Sequence, residues 1–176
     1  MDFALTFADI RVALERRGVR VSVIGGLALA AYGHQRSTLD LDLVVDGDAQ
    51  DEALEVMESL GFRTLHRSSG YSNHLNEDPA RGRVDIVYVR DTTRDRVFTG
   101  VRTLPGPAGI AIPVPSPEHL IAMKVHAIGN APERLWQDMA DIAFLVRLDG
   151  VDRDVVRGYF EKAGLGDKWR ELASHL

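Results

Sequence analysis

Cysteine is absent from the 176 residues. That removes disulfides, thiolate nucleophiles and cysteine zinc sites, and it fits a reducing compartment. The chain also lacks an apolar run long enough to cross a bilayer. Its opening, Met1 to Ile10, has neither the basic nor the apolar region of a signal peptide. The expectation is a cytoplasmic protein that makes no use of a membrane. P-loop and serine-nucleophile signatures are missing, and the six histidines show no metal-ligand spacing. Basic charge in excess is missing too. A formal net charge of -5 argues against coating nucleic acid by bulk electrostatics, while leaving room for a local basic groove. Arginines do cluster, at Arg81, Arg83, Arg90, Arg94, Arg96 and Arg102 and again at Arg16, Arg17 and Arg20. Each alone reads as solvated surface charge. The balance of 45% hydrophobic and 27% charged residues suits one domain, or a domain with a small appendage, able to bury a real core.

The informative stretch runs from Val21 to Val45: an apolar run, Gly25-Gly26, an Ala-rich segment, and a second apolar run that carries Asp40 and Asp42. Side chains alternate along a strand, so the two aspartates share one face while Leu39, Leu41 and Leu43 share the other. Neighbouring ionised carboxylates repel unless a cation lies between them, and a divalent metal is the natural candidate. Gly25-Gly26 permits a tight turn, and the short helix expected over Leu27 to Tyr32 would offer its first amides to an anion. Arg83 to Val89 reads as a further strand with Asp85 in its pattern, a third carboxylate. Magnesium or manganese takes oxygen ligands and keeps positions open for substrate phosphates. Three aspartates beside a glycine turn therefore suggest two-metal phosphoryl or nucleotidyl transfer. His34 and Arg36 fall in the loop before the aspartates, Arg36 as a phosphate contact or a loop cap.

Elsewhere the pattern predicts helices over Thr6 to Arg17 and Gln50 to Leu60, and a hairpin of Phe62 to His66 with Tyr71 to Leu75. Asp91 to Pro115 reads as loop and short strand, with Ile110 to Val114 the strand. Ser116-Pro117-Glu118 is a helix start, after which the chain is all helix: Pro117 to Ile128, Pro132 to Leu148, Asp152 to Lys162 and Asp167 to Ser174. The expected organisation is α+β, with a core over residues 1–115 and a helical subdomain packed on it over residues 116–176. Arg134, Asp138 and Asp141 recur at helical spacing beside an apolar stripe. They read equally as a solvated pair worth about 0.3 to 0.5 kcal/mol or as site residues, with Asp141 structural. Lys124 alone reads as a surface lysine on an apolar helix. Trp136 and Trp169 read as packing residues.

These motifs resemble the nucleotidyltransferase fold of the DNA polymerase beta superfamily: Gly25-Gly26 on a strand-to-helix turn, Asp40 and Asp42 on the next strand, and Asp85 on a third. The run from Gly25 to Leu43 is similar to minimal nucleotidyltransferases and AbiEii-type toxins. The resemblance spans Val21 to Leu145. It implies a small mixed sheet flanked by helices, with Asp40, Asp42 and Asp85 as catalytic metal ligands. Gly25, Gly26, Arg36, Lys124, Arg134 and Asp138 would bind nucleotide. Two positions depart from the pattern. Gly26 stands where many members have serine, and Gln137 where a lysine commonly precedes the last aspartate.

The resemblance implies transfer of a nucleoside monophosphate from a nucleoside triphosphate, ATP being one such donor, to an acceptor hydroxyl. For a toxin of a toxin-antitoxin pair the acceptor would be the 3' end of transfer RNA, with a cognate antitoxin as partner. Two alternatives stand beside it: an inactive nucleotide- or partner-binding module of the same fold, and a small-molecule nucleotidyltransferase of the aminoglycoside-modifying kind.

Overall fold

The computed structural model describes every residue except Gln35 and Arg36, and Pro132 by its backbone alone. The described chain divides into two compact units, Met1–Pro115 and Ser116–Leu176. In the first, α1 (Phe3–Glu15), β1 (Val21–Val23), α2 (Gly25–Ala31), β2 (Asp40–Asp46) and α3 (Gln50–Ser59) are followed by β3 (Phe62–Arg67), β4 (Tyr71–Asn76) and β5 (Arg83–Val89). Then come α4 (Asp91–Thr99), β6 (Arg102–Pro105) and β7 (Ala111–Val114). The second unit holds α5 (Pro117–Asn130), α6 (Leu135–Leu145), α7 (Arg153–Lys162) and α8 (Gly166–Ala173). No helix of the described residues is long and apolar enough to cross a membrane.

The five-stranded sheet has the order β1-β2-β5-β4-β3. Only the β2–β5 pair is parallel; β1–β2, β5–β4 and β4–β3 are antiparallel. The β3–β4 hairpin is thus spliced between two strands that end up adjacent. Alternation sorts the sheet into two faces. Leu41, Leu43, Val45, Val84 and Ile86 are buried on one face. Phe7, Ile10 and Leu14 of α1, with Leu54 and Met57 of α3, complete the core. At about 25 cal/mol per Å² this apolar burial is the main favourable term that holds the sheet flat against its helices. Asp40, Asp42 and Asp85 lie on the other face, half-buried.

The helix starts differ from the sequence expectation where a polar side chain or glycine decides them. α1 begins three residues earlier, because Asp2 accepts the Leu5 N–H at 3.0 Å as its cap. α2 begins at Gly25 itself rather than at Leu27, so Gly25-Gly26 is the first helical turn and not a spacer before it. α4 occupies part of a segment expected to be loop. Its sequence, D-T-T-R-D-R-V-F-T, buries only Val97 and so carries no apolar stripe to announce it. The helix expected over Pro132 to Leu148 is a 3-10 turn, Pro132–Arg134, followed by α6.

Candidate active site

Register brings the aspartates of separate strands side by side. Asp42 of β2 lies against Asp85 of β5, and Asp40 against Arg83. The same row continues across the sheet, with Asn73 of β4 against Asp85 and His66 of β3 against Asn73. Strands are about 4.8 Å apart in this direction, so polar side chains in one row on one face are within mutual reach.

The turn into α2 closes over the end of this row. Ile24 donates its N–H to the Asp42 carbonyl at 2.9 Å, and Gly25 adopts φ +62°. A Cβ built on Gly25 would lie 2.6 Å from Asp42 Cγ and 2.8 Å from its Cβ. Glycine is required there twice over, for the left-handed backbone and for the carboxylate that fills the side-chain space. Gly26 is constrained by a different neighbour: a Cβ would fall 2.7 Å from Thr38 Cβ. Any side chain at position 26 would therefore collide with Thr38 unless Thr38 shifts.

Asp85 Oδ1 accepts two hydrogen bonds, from Asn73 Nδ2 at 2.8 Å and from Arg83 Nε at 3.0 Å. The hydrogen bond and charge of Asp85 push the Arg83 guanidinium above its ordinary pKa; burial opposes this, and the charges of Asp40 and Asp42 add to it. Arg83 is therefore a cation that the fold itself supplies to the carboxylates. Among the described residues, no group of three or more His, Asp or Glu side chains stands ready to hold a metal ion. Magnesium does not require one, since it is usually held by one or two carboxylates, waters and substrate phosphates rather than by an all-protein cage. The oxygen-only donors of Asp40, Asp42 and Asp85, with the Asp42 side chain in the space kept free by Gly25, fit such an ion chemically.

Beneath the row, on the buried face, Thr64 Oγ1, His74, Ser72 Oγ and Tyr88 form a hydrogen-bonded chain. Thr64 Oγ1 to His74 Nδ1 is 3.2 Å, His74 Nε2 to Ser72 Oγ is 2.7 Å, and Ser72 Oγ to the Tyr88 hydroxyl is 2.8 Å. Burial lowers the His74 pKa to about 4, against a raising contribution from the charge of Asp85, so the imidazole is neutral at physiological pH. Burial also raises the Tyr88 pKa, with the Ser72 hydrogen bond opposing it.

In the second unit Lys124, Asp138 and Asp141 come together rather than facing solvent. Lys124 Nζ donates to Asp138 Oδ1 at 2.9 Å and to Asp141 Oδ2 at 2.6 Å. Lys124 is 8% exposed and the two aspartates are 0% and 1%. The surface-lysine reading is thereby corrected: the ammonium is tied between α5 and α6. Arg134, exposed, approaches Asp138 Oδ2 at 3.5 Å, an ion-pair distance without a hydrogen bond. Arg36 lies outside the described residues. Trp136, read as a packing residue, is 77% exposed, whereas Trp169 is buried against Phe160.

The protein-family model described as "Uncharacterised nucleotidyltransferase" matches residues 2–169. The chain belongs to that nucleotidyltransferase family. Family membership makes it an enzyme class that transfers nucleotidyl groups, in agreement with the α+β fold and the arrangement of motifs. Among solved structures, this nucleotidyltransferase is similar to the solution structure of the antibiotic-resistance factor ANT(2'')-Ia, with TM-score 0.68 and 18% identity, covering 99% of this chain and 98% of that one. The same protein in complex with adenylyl-2''-tobramycin matches at TM-score 0.61 and 15% identity, covering 97% of each chain. The lincomycin-bound lincosamide adenylyltransferase LnuA matches at TM-score 0.53 and 18% identity, over 81% of this chain and 96% of that one. At these identities the likeness is one of fold. No curated protein matches the chain.

Sequence reasoning named the three aspartates and the two glycines as candidate site residues but passed over Arg83 and Asn73, whose side chains hydrogen-bond to Asp85. Arg83 was within reach, because it stands two positions before Asp85 on one strand and so shares its face. Asn73 needed the β4–β5 register, which periodicity does not supply.

Proposed function

We propose that the enzyme moves a nucleoside monophosphate from a nucleoside triphosphate to a hydroxyl of a small-molecule acceptor, releasing pyrophosphate. The observation that carries the chemistry is the register pairing of Asp42 with Asp85, under a turn where Gly25 leaves space only for the Asp42 carboxylate. Asp40, Asp42 and Asp85 would hold magnesium or manganese, which when bound supplies charge stabilisation for an in-line displacement at the α-phosphorus. Asp85 accepts the proton of the acceptor hydroxyl. The freed oxygen forms the new bond to the α-phosphorus as the bond to the pyrophosphate oxygen breaks. The backbone amides at the Gly25-Gly26 turn would meet the triphosphate, and Arg36, which lies outside the described residues, would be a cationic contact to it. Lys124, Asp138 and Arg134 act together in the second unit. With Asp141 they form a charge cluster that fixes α5 to α6, and a phosphate contact through Lys124 would require it to leave its two carboxylates.

A small-molecule acceptor is supported by the likeness in fold and in chain length to ANT(2'')-Ia and LnuA, each covered over 96% or more of its own length. A net charge of -5 adds to this support, since it favours a cationic acceptor over a polyanionic one. The test is incubation with α-labelled ATP, GTP, CTP and UTP, magnesium, and a panel of tobramycin, lincomycin and transfer RNA. Label on a small molecule supports the proposal. Label on the transfer RNA 3' end, with growth arrest relieved by a neighbouring gene product, would replace it with the toxin assignment. No transfer, with nucleotide binding intact, would leave a binding module.

A further inference from the structure

We propose that Arg83 and Asn73 are positioning residues of the transfer reaction, holding Asp85 by one carboxylate oxygen so that the other faces the acceptor hydroxyl. This rests on the reading of Asp85 as the group that takes the hydroxyl proton. An aspartate's terminal torsion is broad and nearly two-fold, so a carboxylate on an open sheet face turns freely unless donors select one orientation. Here two donors reach it from different directions. Arg83 approaches along β5 from two residues away, and Asn73 approaches across the β4–β5 pair. Both bonds end on Oδ1, at 3.0 Å and 2.8 Å. Among the described residues Oδ2 receives no hydrogen bond, and neither the Arg83 nor the Asn73 side chain has a second hydrogen-bond partner. Both side chains are thus committed by hydrogen bond to Asp85, with the charges of Asp40 and Asp42 also acting on Arg83.

The arrangement suits the step it would support. The O–H bond of the acceptor breaks, its proton passes to Asp85 Oδ2, the oxygen bonds to the α-phosphorus, and pyrophosphate leaves with the electrons of the broken P–O bond. Proton transfer needs the accepting oxygen in hydrogen-bond reach and correctly aimed, and misplacement by a fraction of an ångström is enough to slow it. The planar guanidinium contributes direction as well as charge, which an ammonium would not reproduce.

The experiment compares the wild type with Asn73→Ala, Arg83→Gln, Arg83→Lys and the Asn73→Ala/Arg83→Gln double variant. Acceptor-dependent pyrophosphate release is measured with magnesium-ATP and tobramycin or lincomycin. Magnesium-ATP affinity is measured by calorimetry, and the wild type and double variant are crystallised. Each single change is expected to lower kcat about 10- to 100-fold, with magnesium-ATP affinity held within about twofold, and Arg83→Lys is expected not to rescue. The Asp85 carboxylate is expected to lose its single orientation in the double variant. Full activity in Arg83→Lys would reduce Arg83 to a charge and overturn the proposal, as would equal losses in affinity and kcat. A wild type inactive on every acceptor would refute the proposed function instead. The crystal structures then decide the positioning on their own, and an Asp85 carboxylate unmoved in the double variant would overturn it.

Discussion

Gly26 and His74 show how single residues in this nucleotidyltransferase are set by neighbours far away in sequence. Thr38 occupies the space of a side chain at 26, so Gly26→Ala should destabilise the protein by about 1 to 3 kcal/mol, as overpacking does. Adding Thr38→Gly should recover part of that loss, and a double-mutant cycle of urea unfolding would measure the coupling. No coupling between the two sites would show that the contact carries no strain. His74 makes a pH prediction. Its folded pKa of about 4 lies below the ordinary 6.5, so the unfolded chain binds the proton more readily. The contribution is complete above pH 6.5 and is lost as pH falls toward 4, up to about 3 kcal/mol in all. His74→Gln should flatten the stability curve in that window by nearly one proton; an unchanged slope would contradict a neutral buried imidazole.

Among the elements, β2 and β5 were legible because alternation survives in L-D-L-D-L and R-V-D-I-V-Y-V, and β5 lies over Arg83–Val89 as expected. What periodicity could not give was their adjacency. The β3–β4 hairpin separates them in sequence, and only the parallel pairing puts Asp42 beside Asp85. α4 was illegible for the opposite reason, since a helix that buries one side chain leaves no pattern to read. Helical spacing placed Asp138 and Asp141 on one helix but gave no sign that both turn onto Lys124 of the preceding one. That cluster sets a prediction for the α5–α6 pair. Lys124→Met leaves two buried carboxylates without their cation and should cost about 3 to 5 kcal/mol. Replacing Asp138 and Asp141 by leucine in the same chain should restore much of it, because an apolar triad needs no desolvated charge. A mild effect of Lys124→Met, read by thermal or urea unfolding, would show that the cluster is solvated.

At the scale of the whole molecule, fold and chemistry were carried by a handful of polar residues inside apolar patterns, while the acceptor had no signature of its own. The candidate aspartates Asp40, Asp42 and Asp85 with Gly25-Gly26 lie in Met1–Pro115, and the buried charge cluster lies in Ser116–Leu176. Since no three acidic or histidine side chains among the described residues are arranged for a metal ion in advance, magnesium should bind weakly alone and tightly only with the triphosphate. Thermal unfolding should therefore shift more with magnesium and ATP together than with the sum of either alone; equal shifts with magnesium alone would point to a preformed metal site. The most direct measurement of the central claim is transfer of α-label from a nucleoside triphosphate to an acceptor, by the wild type and by Asp42→Asn, with and without magnesium. The account predicts label on a small hydroxyl-bearing molecule, only with the divalent ion, and a loss of at least about 100-fold in Asp42→Asn. Transfer that persists in Asp42→Asn, or that proceeds undiminished without the ion, would contradict it.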